Sequence, residues 1–314
     1  LQQPAQAPTN TESITAKCLL GGQRGTGASM AATISVQNDL PNLEKLHRQL
    51  FHLGLVRAYD RLNSFRAYHM AKKHAKIRLF VEGTLGQGQG IVVTKEQANY
   101  LFNVMRLKIG DNVLLFNGHD GEWQAEVVEA GKRAGKLACR IQTAPLQLPP
   151  DLWLLFAPIK KSRTVFIVEK ATELGAARIM PVLTDFTNMD KIQIDRLRAY
   201  ALEATEQCGG TFIPEVCEFQ KLADVLDVWP EDRQIMFCDE SREALPVAQA
   251  LAKEADGKWA IVIGPEGGFS PNEVERLRAM EQVTSVTLGP RILRADTAAI
   301  AALTVWQSAL GDWE

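Results

Sequence analysis

The sequence lacks the hallmarks of a membrane protein and of several common enzyme classes. No uncharged apolar run reaches the roughly 18 residues that a membrane-spanning helix needs. Only one histidine, His119, follows residue 77, so we expect no histidine catalysis and no metal site in the main body of the chain. The GK[ST] signature of a phosphate-binding P-loop is absent as well.

Cysteine is scarce and scattered. The five cysteines are Cys18, Cys139, Cys208, Cys217 and Cys238, and no two of them have C-x-x-C spacing. An odd number at irregular spacing predicts free thiols in a reducing, cytoplasmic compartment rather than a disulfide framework.

Charge is distributed unevenly, although the net charge is only -2. Residues 1–77 carry ten Lys and Arg against four Asp and Glu, whereas residues 78–314 carry 25 against 33. This shift predicts a boundary near residue 77. With 46% hydrophobic residues over 314 positions, the chain has enough apolar side chain for about two domains.

The first 76 residues are set apart as an N-terminal extension. Residues 1–35 are rich in Gln, Ala, Thr, Ser and Gly without apolar periodicity, which predicts disorder, and residues 40–68 could form a short basic helix. Three interpretations stay open: an over-long reading frame or added segment, a genuine flexible extension, or an organellar targeting peptide. The stretch beginning at Met70 resembles an ordinary protein start.

Residues 77–147 predict a small β-barrel. One helix is expected at 96–107, where Tyr100, Leu101, Val104 and Leu107 recur at helical spacing. Short β-rich runs bounded by Gly, Asn and Asp predict strands at 78–83, 90–94, 111–118, 122–130 and 136–142. Residues 147–151 read as a linker.

Residues 151–314 alternate between strand and helix patterns. This rhythm predicts an α/β domain with a mostly parallel sheet covered on both faces, and ligands bind such sheets beyond the carboxyl ends of the strands. Strands are expected at 152–158, 177–184, 234–239, 259–264 and 285–289. Helices are expected at 162–174, 190–208, 244–254, 271–281 and 295–310.

A glycine-rich turn follows one of these strands, at 264–268. Ser270 and Glu273 have the spacing of a capping box for the next helix. Glycines between a strand and a helix let the backbone approach a ligand closely, but an ordinary strand–turn–helix connection is equally consistent with the spacing. The glycines at 86, 88 and 90 precede a strand, so we expect no dinucleotide site there.

Two clusters of basic residues flank other strand ends. Arg291 and Arg294 lie in a loop before an Ala-rich helix and could bind a phosphate or carboxylate or polarise a carbonyl. Lys160, Lys161 and Arg163 lie at a helix start, where a bound anion such as RNA phosphate would offset their unfavourable interaction with the helix dipole. Both clusters are also compatible with a plain solvated surface.

Taken together, five motifs resemble the RsmE family of small-subunit ribosomal RNA uracil-N3 methyltransferases, in the SPOUT superfamily. They are YLFNVMRLKIGD (100–111), EKATELGAARIMPV (169–182), EATEQCGG with IPEV (203–216), IGPEGGFSPNE (263–273) and LGPRILRADTA (288–298). Ala295-Asp296-Thr297 departs from the usual Thr-Glu-Thr of the family, and Cys208-Gly209-Gly210 from its usual Ser-Gly-Arg.

The resemblance implies a PUA-like RNA-binding barrel followed by a SPOUT-type, trefoil-knotted α/β methyltransferase domain. The cofactor would be S-adenosyl-L-methionine, bound by the loops at three strand ends. The implied cofactor-binding residues are Phe237, Cys238, Ile263, Gly264, Pro265, Gly268, Leu288, Ile292 and Leu293.

The implied reaction needs help at uracil N3, which carries a proton and is a poor nucleophile near neutral pH. Arg294 or Arg291 could stabilise the anionic uracil, and Asp296 or Glu266 could accept the proton. The target base would have to leave its stack to reach such a site.

The implied partners are 16S rRNA or the small ribosomal subunit, and a second copy of the chain. The Ala-rich last helix and Trp306 are expected to supply the dimer surface. RNA contacts are expected at Lys95, Arg106, Lys108, Lys160, Lys161 and Arg163. Two rival functions are a non-catalytic RNA-binding or assembly protein of the same fold, and a nucleotide-binding α/β enzyme unrelated to RNA.

Overall fold

The structure is a computed structural model, and the chain divides into two compact units, Leu1–Asn63 and Ser64–Glu314. The structure describes residues 13–17, 31–35, 75, 77–189, 191–240, 244–252, 254 and 257–313.

The first unit contains a β-hairpin. Strand β1 (Ser13–Lys17) pairs antiparallel with strand β2 (Ala31–Ser35), with Ile14 opposite Ile34 and Thr15 opposite Thr33. The prediction of disorder over 1–35 was therefore wrong at these two segments. Their β-branched residues favour extended backbone even where apolar periodicity is weak. The helix predicted at 40–68 lies outside the described residues.

The second unit begins with the five strands that were predicted to form a small barrel, and they form a single five-stranded sheet, a half-barrel. Its order is β3-β5-β6-β7-β4, and all neighbours are antiparallel except β3 and β5. Its inner face buries a separate apolar core that includes Leu101, Val113 and Leu137. The strands are β3 (Arg78–Phe80), β4 (Gly90–Val92), β5 (Asn112–Phe116), β6 (Glu122–Ala130) and β7 (Gly135–Ala144).

The α-helix predicted at 96–107 is in part a π-helical turn in the structure. Helix α1 (Lys95–Ala98) passes directly into a π-helical turn at Asn99–Val104. A π-helix has a wider turn than the 3.6-residue period on which the prediction rests. Leu101 therefore lies in the core, whereas Tyr100 and Val104 are exposed.

The remaining strands form an eight-stranded parallel sheet. Its path is β10-β9-β8-β14-β12-β15-β13, with β11 also paired to β9. The strands are β8 (Leu152–Phe156), β9 (Arg178–Leu183), β10 (Glu215–Val216), β11 (Gln220–Lys221), β12 (Arg233–Cys238), β13 (Leu245–Pro246), β14 (Lys258–Ile263) and β15 (Val283–Thr287).

Helices cover both faces of this sheet, as predicted. The helices are α2 (Lys161–Glu173), α3 (Ile194–Cys208), α4 (Leu222–Asp227), α5 (Val247–Leu251), α6 (Pro271–Ala279) and α7 (Ala295–Leu310). One core cluster joins residues of α2, α3, α5 and α7 to the sheet, and another joins residues of α4 and α6. Among the described helices, none combines the length and hydropathy needed to cross a bilayer.

Arg78 ties the barrel strand β3 to the carboxyl end of α3. Its guanidinium pairs with Glu122 at 2.6 Å and donates to the carbonyl oxygens of Thr205 and Gly210 at 2.8 and 2.5 Å. It also lies 3.8 Å from the ring centre of Phe116. Because these partners come from both parts of the unit, Arg78 fixes the barrel against the α/β sheet.

Trp306 does not lie on the surface. It is fully buried in the α/β core, together with Ala302 and Leu303 of the same helix. The expectation that Trp306 forms part of a dimer surface was wrong, because its large apolar ring fills the space between α7 and the sheet.

Candidate active site

Three adjacent parallel strands end at the same edge of the sheet. Strands β14, β12 and β15 are neighbours, and their last residues are Ile263, Cys238 and Thr287. The loops that follow them meet beyond this edge and line a cavity that is open on one side to solvent. Ligands of parallel α/β sheets bind at this position, beyond the carboxyl ends of the strands.

Eight of the nine predicted cofactor-binding residues line this cavity. The exception is Phe237, which is buried in the core and packs edge-on against the Phe269 ring at 5.2 Å between ring centres. The predicted residues that line the cavity are Cys238, Ile263, Gly264, Pro265, Gly268, Leu288, Ile292 and Leu293.

The glycine turn is closed by one hydrogen bond and has two positions that favour glycine. The Gly268 amide donates to the Pro265 carbonyl oxygen at 3.0 Å, and Gly268 has a φ of 71°. At Gly264 there is no room for a side chain, because a Cβ would lie 2.7 Å from the Phe269 ring. The turn therefore depends on glycine at two positions, for two different reasons.

The predicted capping box at the start of α6 is confirmed. The Ser270 side chain accepts from the Glu273 amide at 3.3 Å, and the Glu273 carboxylate accepts from the Ser270 amide at 2.9 Å. The Ser270 hydroxyl also donates to the Asp185 carboxylate at 2.5 Å. This contact with the loop after β9 holds the end of the glycine turn in place.

Three acidic residues of the cavity were not identified as cofactor-binding from the sequence. Asp239 is buried and pairs with Arg278 at 2.5 Å, whereas Glu240 and Glu266 are exposed. The position of Asp239 and Glu240, immediately after strand β12, was the signal that could have identified them, because ligands bind beyond the carboxyl ends of parallel strands.

The two predicted arginines occupy different positions. Arg291 lines the cavity, and Arg294 does not, although Leu293 and Ala295 on either side of it do. Arg294 is the N-cap residue of α7, and its side chain makes no capping hydrogen bond. Both arginines are exposed, so each is accessible to a ligand outside the cavity.

Asp296 and Arg163 were assigned to separate clusters, but the structure brings them together. The Arg163 guanidinium forms an ion pair with Oδ2 of Asp296, and Oδ1 accepts from the Thr297 amide at 2.9 Å. Both carboxylate oxygens are therefore occupied. The pair joins the first turns of α2 and α7, next to the cavity residues Ala295 and Ala298.

The Cys238 thiol at the cavity wall is not a candidate nucleophile. Burial raises the pKa of Cys238 to about 12. Because the thiolate is the reactive form, this thiol stays protonated and unreactive near neutral pH. In the described part of the chain, Cys139, Cys208, Cys217 and Cys238 are all free thiols.

The remaining predicted RNA-binding residues are all exposed. They are Lys95, Arg106 and Lys108 in the barrel, and Lys160 and Lys161 at the start of α2. Arg106 directly follows the π-helical turn and has a φ of 58°, which is rare for a residue other than glycine and is often found at functional sites.

A second groove beside α2 contains two basic residues that were not predicted from the sequence. Lys161 lines it together with Lys191, Arg196 and the partly buried, apolar Phe219. Within the described ranges, no group of three or more His, Cys, Asp or Glu side chains is placed to hold a metal ion.

Comparison with known proteins gives concordant matches in sequence and structure. Residues 146–307 match a family described as an RNA methyltransferase domain, and residues 93–137 match an RNA methyltransferase PUA domain. The small-subunit ribosomal RNA methyltransferase E of Rickettsia conorii is 30% identical over 229 residues, covering 72% of this chain and 93% of the relative. The protein of that name from Bacillus subtilis is 28% identical over 244 residues, covering 72% and 94%.

Two solved structures have the same fold. The small-subunit ribosomal RNA methyltransferase E of Neisseria gonorrhoeae, bound to S-adenosyl methionine, is 25% identical with a TM-score of 0.68, covering 76% of this chain and 99% of that one. A Legionella pneumophila methyltransferase in complex with the same cofactor is 29% identical with a TM-score of 0.66, covering 75% and 98%.

Proposed function

Because this chain belongs to the RNA methyltransferase family that includes small-subunit ribosomal RNA methyltransferase E, we propose that it methylates small-subunit rRNA at uracil N3, with S-adenosylmethionine as the methyl donor. The observation that carries the proposal is the cavity at the ends of β12, β14 and β15. Loops from two of the family motifs, at 263–273 and 288–298, supply most of its lining.

The cavity residues suit this cofactor. Ile263, Leu288, Ile292 and Leu293 provide apolar surface for the adenine ring, and Arg291 provides a cation for the carboxylate of the methionyl group. A Cβ at Gly289 would meet no atom within 4 Å, so the backbone is open to a ligand there. When bound, the cofactor supplies an electrophilic methyl group on a sulfonium.

The chain's own residues must stabilise the anionic uracil and accept its N3 proton. Arg294, whose neighbours Leu293 and Ala295 line the cofactor cavity, would donate to the uracil oxygens as N3 loses its proton. Asp296 is occupied by Arg163 and acts as a positioning residue that holds the first turn of α7. Glu266, exposed at the cavity, is then the proton acceptor.

The RNA would approach along the exposed basic residues of the barrel and of α2. We assign Lys95, Arg106, Lys108, Lys160 and Lys161 to phosphate contacts, which fix the orientation of the RNA. Arg163 is removed from this group, because it is paired with Asp296. In this arrangement the α/β part carries out the methyl transfer and the barrel binds the RNA. The reaction would take place in the cytoplasm, where rRNA is assembled into ribosomal subunits.

The direct test is methyl transfer to small-subunit rRNA that lacks the modification. Purified protein with labelled S-adenosylmethionine should add one methyl group per rRNA, and mass spectrometry of the digested RNA should find it on uracil N3. Cofactor binding without transfer to rRNA or to the assembled subunit would support the non-catalytic alternative. Transfer to another atom would overturn the assignment of uracil N3.

The proposed domain limits predict that the N-terminal extension is dispensable. The barrel core begins at Ala75 and Ile77, and residues 1–63 form a separate unit. A chain that starts at Met70 should retain its methyl transfer rate and its free energy of unfolding to within about 1 kcal/mol. Urea unfolding monitored by circular dichroism measures this, and a larger loss would place the extension in the functional fold.

We also propose a homodimer, with a different surface from the one that the sequence indicated. Ala301, Thr304 and Ser308 recur at helical spacing on the less buried side of α7, and such small side chains allow two helices to approach closely across a two-fold axis. Analytical ultracentrifugation at micromolar concentration should give a particle with twice the mass of the chain. The Ala301→Glu variant should sediment as a monomer. A wild-type monomer would contradict the proposal.

A further inference from the structure

Glu240 is an exposed acidic residue of the cofactor cavity. It lies two residues beyond the end of β12 and lines the cofactor cavity, and it is exposed. Among the described residues, its carboxylate has no hydrogen-bond or ion-pair partner, whereas the neighbouring Asp239 is paired with Arg278. A free carboxylate at this edge of a parallel sheet is available to a ligand.

The Glu240 carboxylate lies against the glycine turn at Gly268. A Cβ built on Gly268 would lie 1.8 Å from Oε1 of Glu240 and 2.8 Å from its Cδ. Glu240 therefore occupies the space that any other residue at 268 would need, and its carboxylate lies against the backbone of the turn. The φ of 71° favours glycine at 268, and the absence of a side chain there lets the Glu240 carboxylate lie against the turn.

We propose that the Glu240 carboxylate binds the ribose hydroxyls of S-adenosylmethionine, an inference that rests on the proposed function. A carboxylate only accepts hydrogen bonds, so its ligand must supply donors, and the two ribose hydroxyls are adjacent donors. A carboxylate that follows a strand binds the ribose of nucleotide cofactors in other α/β folds in the same way.

Of the two exposed carboxylates in the lining, Glu266 is assigned to the uracil proton, which leaves Glu240 for the ribose. The apolar side chains Ile263, Leu288 and Ile292 suit the adenine ring, and the Arg291 cation suits the methionyl carboxylate. The ribose joins these two ends. Glu240 lies against Gly268, in the turn that follows Ile263. We therefore assign it to the ribose on the adenine side of the cofactor.

The test uses two ligands that share the ribose but not the charged amino-acid end. Titration calorimetry would measure the binding of S-adenosylmethionine and of 5′-deoxy-5′-methylthioadenosine to wild type and to Glu240→Gln. Losing a hydrogen-bonded charge should weaken both ligands by about tenfold or more, and by similar factors. Glu275→Gln, which removes the same charge from an exposed position on α6, is the matched control and should leave both affinities within twofold.

The outcomes separate this inference from the proposed function. If Glu240→Gln weakens S-adenosylmethionine but not methylthioadenosine, the carboxylate faces the charged end and the ribose assignment is overturned. Unchanged affinity for both ligands overturns any contact with the cofactor. If the wild type itself fails to bind S-adenosylmethionine, the proposed function fails first. Circular dichroism of the variant checks that it is folded.

Discussion

Gly268→Val should lower the affinity for S-adenosylmethionine by at least a hundredfold while the protein stays folded. The substitution meets two obstacles at one position. Valine is β-branched and strongly disfavours a φ of 71°, which costs on the order of 1–3 kcal/mol. Its Cβ would also overlap the Glu240 carboxylate, so either the turn or the carboxylate must move within the cavity.

The sequence alone indicated only that the glycines of this turn let the backbone approach a ligand closely. In the structure, the first atom that a side chain at 268 would meet belongs to Glu240. Calorimetry with S-adenosylmethionine measures the loss, and unchanged affinity would remove the glycine turn from the site.

Gly209→Val is a matched control for backbone strain. Gly209 ends α3 with a φ of 80°, but a Cβ there would meet no atom within 4 Å, and it does not line the cofactor cavity. Valine at 209 should cost about 1 kcal/mol or somewhat more in the free energy of unfolding without changing cofactor affinity. Equal loss of cofactor affinity in both variants would show that backbone strain anywhere in the fold is sufficient to weaken cofactor binding.

Arg294→Ala should lower the turnover rate by about 10²–10³ and change the affinity for S-adenosylmethionine by less than twofold. This is the usual cost of removing one preorganised donor that stabilises charge in a transition state. The separation of the two effects follows from position, because Arg294 lies beside the cavity but does not line it. Single-turnover kinetics at saturating rRNA, with calorimetry for the cofactor, measures both quantities.

Two sets of variants serve as controls for Arg294. Arg291→Ala should weaken cofactor binding, because Arg291 lines the cavity. Lys160→Ala and Lys161→Ala should weaken RNA binding and reduce its salt dependence by about one unit of slope per lost phosphate contact, with turnover preserved at saturating RNA. The opposite result would be that Arg294→Ala changes only the RNA affinity and the two lysine variants change only the turnover rate. Arg294 would then belong to the RNA-binding cluster, and the lysines would take part in the reaction.

Local sequence patterns determined most of the secondary structure and the location of the cavity. Strand and helix periods, the Ser270–Glu273 capping box and the glycine turn after β14 all depend on neighbours within a few residues. Because the strands are parallel, the ends of β12, β14 and β15 had to lie at one edge of the sheet, and the ligand site with them. The π-helical turn at Asn99–Val104 was missed, because its residues are compatible with an ordinary helix.

The long-range partners of the charged side chains at the site were decided only by the tertiary structure. Arg163 and Asp296 are 133 positions apart, and Glu240 and Gly268 are 28 apart, so no local spacing could reveal that they touch. Whether Trp306 faces the core or solvent was likewise set by how α7 packs on the sheet. Periodicity predicts that a helix has a buried side, but the long-range packing of the folded chain decides which side it is and which charges meet there.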